Sequence, residues 1–521
     1  MNLARAFATV GGSTLLSRIL GFVRDILLAA GFGTGPIADA FFVAFRLPNL
    51  FRRWFAEGAF NSAFVPLFGR RLEEEGKDAA HSFAEEAMAA LGFTVLVFSI
   101  LVIAGMPLVM VVFAPGFVDN KEQFDLAVLL TQITFPYLFC MAIIALLSGL
   151  LNATGRFAAA AFAPVLLNVV LIGALVFIGL SGLNDTPNGA TWLAGGVAFA
   201  GLAQLALLYV SASRAGYRLR IRRPRLTPGV RRLIALGIPG IIAGGVTQIN
   251  IFIGTIIATL QDGAVSFLYL ADRVYQLPLG VIGIALGVVL LPDLTRRLRS
   301  EGDASANASQ NKALEYAMLL TLPAAAALAT IAEPVVSVLF ERGAFTAESR
   351  VATAAALQAF AFGLPAFVLI KVFSPGYFAR EDTKTPMIFA AIGVAINIAG
   401  SLALFPFIGH VGIAIATSLS AWVNAALLAG LLLRRGHWVP DGAGIKRTVL
   451  MIASSAAMAG VLYGIASIVG PQLDPTTPDV LRLPIFAGLI AAGILVFFLV
   501  AHLTGAARLS QIAGQFLRRS A

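Results

Sequence analysis

Residues 18–66 read RILGFVRDILLAAGFGTGPIADAFFVAFRLPNLFRRWFAEGAFNSAFVP, and among them stand Arg18, Arg24, Asp25, Asp39, Arg46, Arg52, Arg53 and Glu57. On a soluble helix such charges are ordinary. Here their neighbours are Leu, Ile, Phe, Val, Ala and Gly, in segments long enough to cross a bilayer. A charge at the centre of a lipid-facing helix costs roughly 2.5–3.5 kcal/mol, so five arginines facing lipid would cost on the order of 12–18 kcal/mol. Turning them inward, onto a wet cavity, avoids that cost. A cavity lined mostly by arginine suits an anion.

Composition sets the stretch in context. The chain has 521 residues, 59% hydrophobic and 12% charged, with mean hydropathy +0.88, where soluble domains carry about 25% charged residues. It therefore reads as an all-α polytopic membrane protein. The first apolar segment carries Arg18 and Arg24 and lacks a small-residue cleavage pattern, so it reads as a retained span and not a removable signal. Cys140 is the single cysteine and the four histidines are scattered, which leaves neither a disulfide within the chain nor a metal site, and no cofactor is expected.

Apolar runs of span length fall at roughly 7–32, 36–68, 84–112, 124–151, 157–180, 190–213, 233–260, 264–292, 312–332, 350–378, 386–405, 410–433, 447–469 and 484–505, fourteen in all. With both termini in the cytoplasm, 26 of the 37 Lys and Arg lie in inside segments, 4 (Lys121, Arg342, Arg350, Arg482) lie in outside loops, and 7 lie within spans. This asymmetry fixes the orientation by the positive-inside rule. The formal charge of +10 then belongs to loops that anchor on anionic lipid, and no nucleic-acid partner is needed.

The chain also repeats itself at an offset of 226. Val65-Pro66-Leu67-Phe68-Gly69-Arg70-Arg71-Leu72 aligns with Leu291-Pro292-Asp293-Leu294-Thr295-Arg296-Arg297-Leu298, and in the same register Phe41 meets Phe267 and Gln132 meets Gln358. Six spans per repeat is an even number, so both halves enter the membrane in the same direction. That predicts two six-helix lobes related by a pseudo-two-fold axis along the membrane normal, with a substrate site between them near mid-depth. The expected divisions are an N-lobe at 1–213, a basic cytoplasmic linker at 214–232, a C-lobe at 233–440, and an added helix pair with a cytoplasmic tail at 441–521.

Helical spacing sorts the charges. Arg18 and Asp25, seven apart, share a stripe, and Arg24 lies about 120° round from Arg18. Asp39, Arg46 and Arg53 recur every seven residues, with Glu57 one turn further. Asp39–Arg46 and Arg53–Glu57 thus read as structural pairs, while Arg24 and Arg52 have no obvious partner. Pro48 is expected to kink its helix beside Asn49 and Arg52. The repeat sets Arg273 within one residue of the counterpart of Arg46, facing the first-lobe arginines. Asp272 is a candidate to neutralise Arg273, and Lys371 is read as snorkelling toward the inner face. Arg24, Arg52 and Arg273 are the residues chosen for a diphosphate, because arginine stays charged and binds it bidentately. No P-loop or loop-borne carboxylate pair marks an enzyme, so the chain reads as a transporter.

The motifs LSRILGFVRD (Leu16–Asp25), ADAFFVAFRLPNLFRRWFAEGAFNSAFVP (Ala38–Pro66) and YLADRVYQLPLGVIGIALGVVLLP (Tyr269–Pro292) resemble the MurJ (MviN) lipid II flippase family of the multidrug/oligosaccharidyl-lipid/polysaccharide exporter superfamily. The resemblance runs over essentially the whole chain. It implies two six-helix lobes plus two extra helices, and lipid II, an undecaprenyl-diphosphate-linked disaccharide pentapeptide, as the substrate flipped between leaflets. It also implies that charges matching Arg18, Arg24, Asp25, Asp39, Arg52 and Arg273 handle that substrate, joined here by Asn49, and that spans 447–469 and 484–505 hold the lipid tail. Some relatives are discussed as ion-coupled. The span 233–260 departs from such a site, offering only Thr247, Gln248 and Asn250 and no carboxylate.

The mechanism expected is alternating access by a monomer, the lobes rocking about a central site. A same-fold flippase for another polyprenyl-diphosphate saccharide is the nearest alternative. A membrane enzyme acting on such lipids and a non-transporting scaffold are others. Turnover by the purified chain distinguishes the enzyme, and free replacement of the arginines distinguishes the scaffold.

Overall fold

The computed structural model describes residues 3–52 and 59–507, and among these it is helical with no strand. The first half holds α1 (Leu3–Phe32), α2 (Pro36–Arg52), α3 (Ala59–Glu74), α4 (Lys77–Ala104), α5 (Met106–Phe113), α6 (Lys121–Thr134), α7 (Pro136–Ala153), α8 (Ala158–Leu180) and α9 (Pro187–Arg214). The second holds α10 (Pro228–Ala258), α11 (Ala264–Ser300), α12 (Asp303–Thr330), α13 (Ala332–Phe340), α14 (Ala347–Phe378), α15 (Lys384–Ile408) and α16 (His410–Arg434). The chain closes with α17 (Gly442–Val469) and α18 (Asp479–Leu503). Arg53 and Glu57, read from sequence as an ion pair, lie outside the described residues.

Among the described residues, α6, α9, α10, α14 and α17 start where the sequence supplies a side-chain cap. The side chains of Asn120, Thr186, Thr227, Thr346 and Asp441 each accept a backbone N–H from the first turn that follows them. These are the small polar residues that satisfy the orphan donors of a helix N-terminus. Among the described residues ten helical stretches are long and apolar enough to cross a membrane, and all ten fall on expected spans. The expected spans 7–32, 36–68 and 264–292 correspond to α1, α2–α3 and α11, the helices that carry the intramembrane arginines. The fourth, 233–260, is α10, whose shorter apolar stretch is Gln248–Ala258.

The sequence repeat reappears in the helix boundaries. Lys77 and Asp303, Met106 and Ala332, Lys121 and Ala347, and Ala158 and Lys384 open helices 226 residues apart. Gln132 Nε2 donates to Ile103 O at 3.1 Å, and Gln358 Nε2, at the same offset, donates to Ala329 O at 3.1 Å. Both glutamines bond the carbonyl end of a preceding helix and so fix where two helices meet.

By contact the chain forms two compact units, residues 1–266 with 343–345, and residues 267–342 with 346–521. In the first, α10 packs on α3 and α4, so contact places α10 with the first half although the repeat makes it the counterpart of α1. Two close backbone contacts in this unit also follow the repeat. The turn after α5 meets the end of α10, where a Cβ on Gly116 would lie 2.0 Å from Thr259 O. The turn after α13 meets the end of α1, with Ala344 N–H donating to Ala30 O at 2.8 Å. There Gly33, at φ +62°, leaves room for Ala344 O.

In the second unit, α17 packs along α12 and against α18. Arg482, expected in an outside loop, is instead a buried residue of the first turns of α18. Its Nε donates to Leu473 O at 2.9 Å and its Nη2 to Ser337 Oγ at 2.9 Å. Ser337 bonds Glu341, which also receives Arg350 at 2.9 Å. A buried charge needs such partners, and the added pair is thereby tied to α13.

Gly116→Ala is expected to lower the thermal stability of the purified protein by about 1–3 kcal/mol, the usual cost of forcing a methyl group into a filled contact. Gly11→Ala, with nothing within 4 Å of a new Cβ, leaves the melting curve in detergent unchanged.

Candidate functional site

The first unit brings together most of the singled-out charges on α1 and α2. Arg24, 6% exposed, donates from Nε and Nη2 to Asp25 Oδ1 at 3.1 and 2.7 Å. Its Nη1 donates to Asn168 Oδ1 on α8 at 3.0 Å, and its guanidinium stands 5.8 Å from the centre of the Phe45 ring. Asn168 turns its Nδ2 to Ser17 O at 2.9 Å, so one amide bridges α1 at two levels. Arg24 is therefore paired, where spacing along the helix left it without a partner. Stripe analysis follows Cβ directions, whereas a long guanidinium folds back onto its sequence neighbour. Asp25 goes to Arg24 and not along the stripe to Arg18, whose side chain is exposed.

Asp39 takes a different part from the one its spacing implied. It is wholly buried in α2, and its carboxylate meets the N-terminus of α11. Oδ2 accepts from Gly263 N at 2.8 Å, and Oδ1 accepts from Ser266 N at 2.9 Å and from the Ser266 hydroxyl. It caps a helix 224 residues away in sequence, where orphan N–H groups and the helix dipole favour an anion. Arg46, the partner assigned to it from spacing, donates instead to Thr255 Oγ1 on α10 at 2.7 Å.

Pro48 does not end α2, which runs on to Arg52. Its missing N–H would have bonded Ala44 O, and that carbonyl lies 2.9 Å from the buried Thr134 hydroxyl, which donates to it. At the next residue, Asn49 Nδ2 donates to Phe45 O at 2.7 Å and Asn49 Oδ1 accepts from Arg52 Nε at 3.1 Å. Asn49 thus ties the half-buried Arg52 to the backbone of α2.

In the second unit, Arg273 on α11 is half-buried, its Nη2 donating to Tyr269 Oη at 2.8 Å, while Asp272 accepts from Gln276. Lys371 on α14 reaches α11, because a Cβ on Gly283 would lie 2.5 Å from its Nζ. The ammonium lies against the bare backbone of Gly283. Among the described residues no group of three or more His, Cys, Asp or Glu could hold a metal ion.

Sequence reasoning missed Asn168, Thr134, Thr255 and Ser266, the polar partners that hold the charges. A lone Asn in the run PVLLNVVLI (164–172) was the available signal, since a polar side chain in a span needs a partner.

A family profile described as Lipid II flippase MurJ matches residues 28–477. A probable lipid II flippase MurJ of Rhizobium meliloti is 49% identical over 98% of this chain and 96% of its own length. A lipid II flippase MurJ of Burkholderia cenocepacia is 37% identical over 89% of this chain and 90% of its own. Among solved structures, a lipid II flippase MurJ in an inward closed conformation superposes with a TM-score of 0.78 at 25% identity, over 95% of this chain and 98% of that one. An inward-facing multidrug resistance MATE family transporter of the MOP superfamily shares the fold, with a TM-score of 0.66 at 14% identity over 81% and 95% of the two chains.

Two substitutions separate the structural ties from the rest. Asp39→Ala removes the cap of α11 and is expected to cost about 0.5–2 kcal/mol of stability. Thr134→Val keeps the shape but loses the hydroxyl on Ala44 O, at a cost of about 1–3 kcal/mol for the carbonyl left bare. Thermal unfolding of the purified variants measures both.

Proposed function

The chain belongs to the lipid II flippase MurJ family and is a multi-pass membrane transporter of the MOP fold, and from that premise we propose that it flips lipid II from the inner to the outer leaflet of the cytoplasmic membrane by alternating access. The observation that carries the proposal is the charge balance of the span helices. Arg18, Arg24, Arg46, Arg52 and Arg273 stand on α1, α2 and α11 against few carboxylates, and Asp39 is already committed to a helix end. What remains is a cationic interior, which receives an anionic head and disfavours a cationic drug.

In this reading Arg24, Arg52 and Arg273 receive the diphosphate. Asp25 and Asn168 hold the Arg24 guanidinium in a fixed plane, and Asn49 holds Arg52. Such fixing lowers the ordering cost of binding. Arg18 adds exposed positive charge on the same helix as Arg24. The repeat supports six spans in each lobe about an axis along the membrane normal, and the family resemblance supports two more, α17 and α18, beside the lipid tail, fourteen in all. The lobes are 1–213 and 233–440, joined by the linker 214–232. The loop charges support both termini in the cytoplasm, and the protein is read as a monomer. A potential negative inside assists an anionic head moving outward, by about 2.3 kcal/mol per charge per 100 mV.

Depletion of the protein in cells is expected to accumulate lipid II on the inner leaflet with loss of its outer-leaflet access. Continued appearance of lipid II outside refutes the proposal, and accumulation of a different polyprenyl-diphosphate saccharide transfers it to that substrate. Arg24→Ala, Arg52→Ala and Arg273→Ala are each expected to insert normally yet fail to restore growth, the check being complementation of the depleted strain.

A further inference from the structure

Residues 214–232 hold eight arginines and no acidic residue, and the structure shows how this segment is held. Tyr217 and Leu219 are buried in the core of the first unit, with the Tyr217 ring beside those of Phe68 and His81. Arg220 N–H donates to Glu85 Oε1 at 2.8 Å, and the Arg222 guanidinium pairs with Glu85 Oε2 at 2.6 Å. Thr227 Oγ1 donates to Glu86 Oε2 at 2.7 Å. Two adjacent glutamates of α4 therefore pin an extended stretch of chain at two points.

The pins set its depth. After Glu86, α4 runs from Ala87 to Ala104 through 18 residues without a charge. At the rise of an α-helix that is about 27 Å, close to the hydrocarbon thickness of a bilayer. Glu85 and Glu86 thus lie within a turn of the hydrocarbon edge, and the segment bonded to them lies at the level of the headgroups.

Alternation along the extended stretch decides what faces out. Leu219 points in, whereas Ile221, between two pinned residues, is 95% exposed, and Leu226 is 63% exposed. Arg218, Arg223 and Arg225 are exposed as well, with no hydrogen-bonding or ionic partner among the described residues. We propose that residues 218–226 form a preformed contact for anionic lipid, in which Arg218, Arg223 and Arg225 take lipid phosphates while Ile221 and Leu226 insert beneath them. Basic side chains near the surface draw in acidic headgroups. Apolar side chains placed among them at this depth fit a lipid surface better than a nucleic acid or an acidic protein. That the contact lies on the cytoplasmic leaflet rests on the orientation proposed above.

The test places a nitroxide on Ile221→Cys in a Cys140→Ala background, with the full chain in vesicles. Collision with a lipid-soluble relaxer, relative to a water-soluble one, is expected to rise roughly threefold when about 30% phosphatidylglycerol replaces phosphatidylcholine. It is expected to return to the zwitterionic value in about 0.5 M salt, or when Arg218, Arg223 and Arg225 are all changed to Gln. Those three arginines bond nothing in the fold, so the triple variant should melt like the parent. Equal accessibility in both vesicles, or an anionic response that survives the triple change, overturns the proposal. Labelling of the thiol at 221 in intact cells by an impermeant reagent overturns the orientation and leaves the lipid contact standing.

Discussion

A charge inside a bilayer must be answered by another group, and most of this architecture follows from that constraint. Arg24 is met by Asp25 and Asn168, Arg46 by Thr255, and Asp39 by the first turn of α11. These bonds link α1 to α8, α2 to α10 and α2 to α11, so polar contacts tie the charged helices to their neighbours. The other helices pack through apolar surface and glycine, as where Gly493 admits Leu462, together with single bonds such as that from Ser418 Oγ to Ala359 O at 2.7 Å. Anionic binding capacity and structural cohesion therefore draw on the same few residues. A substitution at Asp39 tests cohesion, whereas one at Arg273 tests binding.

Backbone groups obey the same rule. Pro48 opens a gap in the hydrogen-bond ladder of α2 near the arginines, and Thr134 closes it from α6. Asn49 uses the next carbonyl and Arg52 in turn. An interrupted helix with its lost bond replaced by a side chain is stable, yet it has a weak point at which it can bend. The paired turns at Gly116–Thr259 and Ala344–Ala30 are close backbone contacts in which neither Gly116 nor Gly33 has room for a side chain.

Much of this was legible in the sequence because it is encoded locally. Helix starts follow single capping residues such as Asn120 and Thr227, and the 226-residue register carries through to helix boundaries and to the matched bonds of Gln132 and Gln358. The partners of the charges were not legible. Asn168 lies 144 residues from Arg24, and Ser266 lies 227 from Asp39. Helical spacing gives the direction in which a side chain leaves its own helix and says nothing of what waits on the next one. That is why Asp39 and Arg46 were paired with each other, whereas Arg24 was left alone because its guanidinium folds back onto its own neighbour Asp25. The placement of Arg482 failed for a related reason, since a charge near a turn reads as a loop residue until the buried serine and carbonyl that receive it are seen.

The account's central claim is that arginines in the spans meet the diphosphate of a lipid-linked saccharide. Binding of lipid II to the purified chain, compared with binding of an analogue that keeps the tail and sugars but replaces the diphosphate by a neutral linkage, tests it most directly. Hydrogen bonds to charged groups contribute about 1.5–3 kcal/mol each, so the account predicts at least roughly tenfold weaker binding of the neutral analogue. Equal affinity for the two lipids would contradict it.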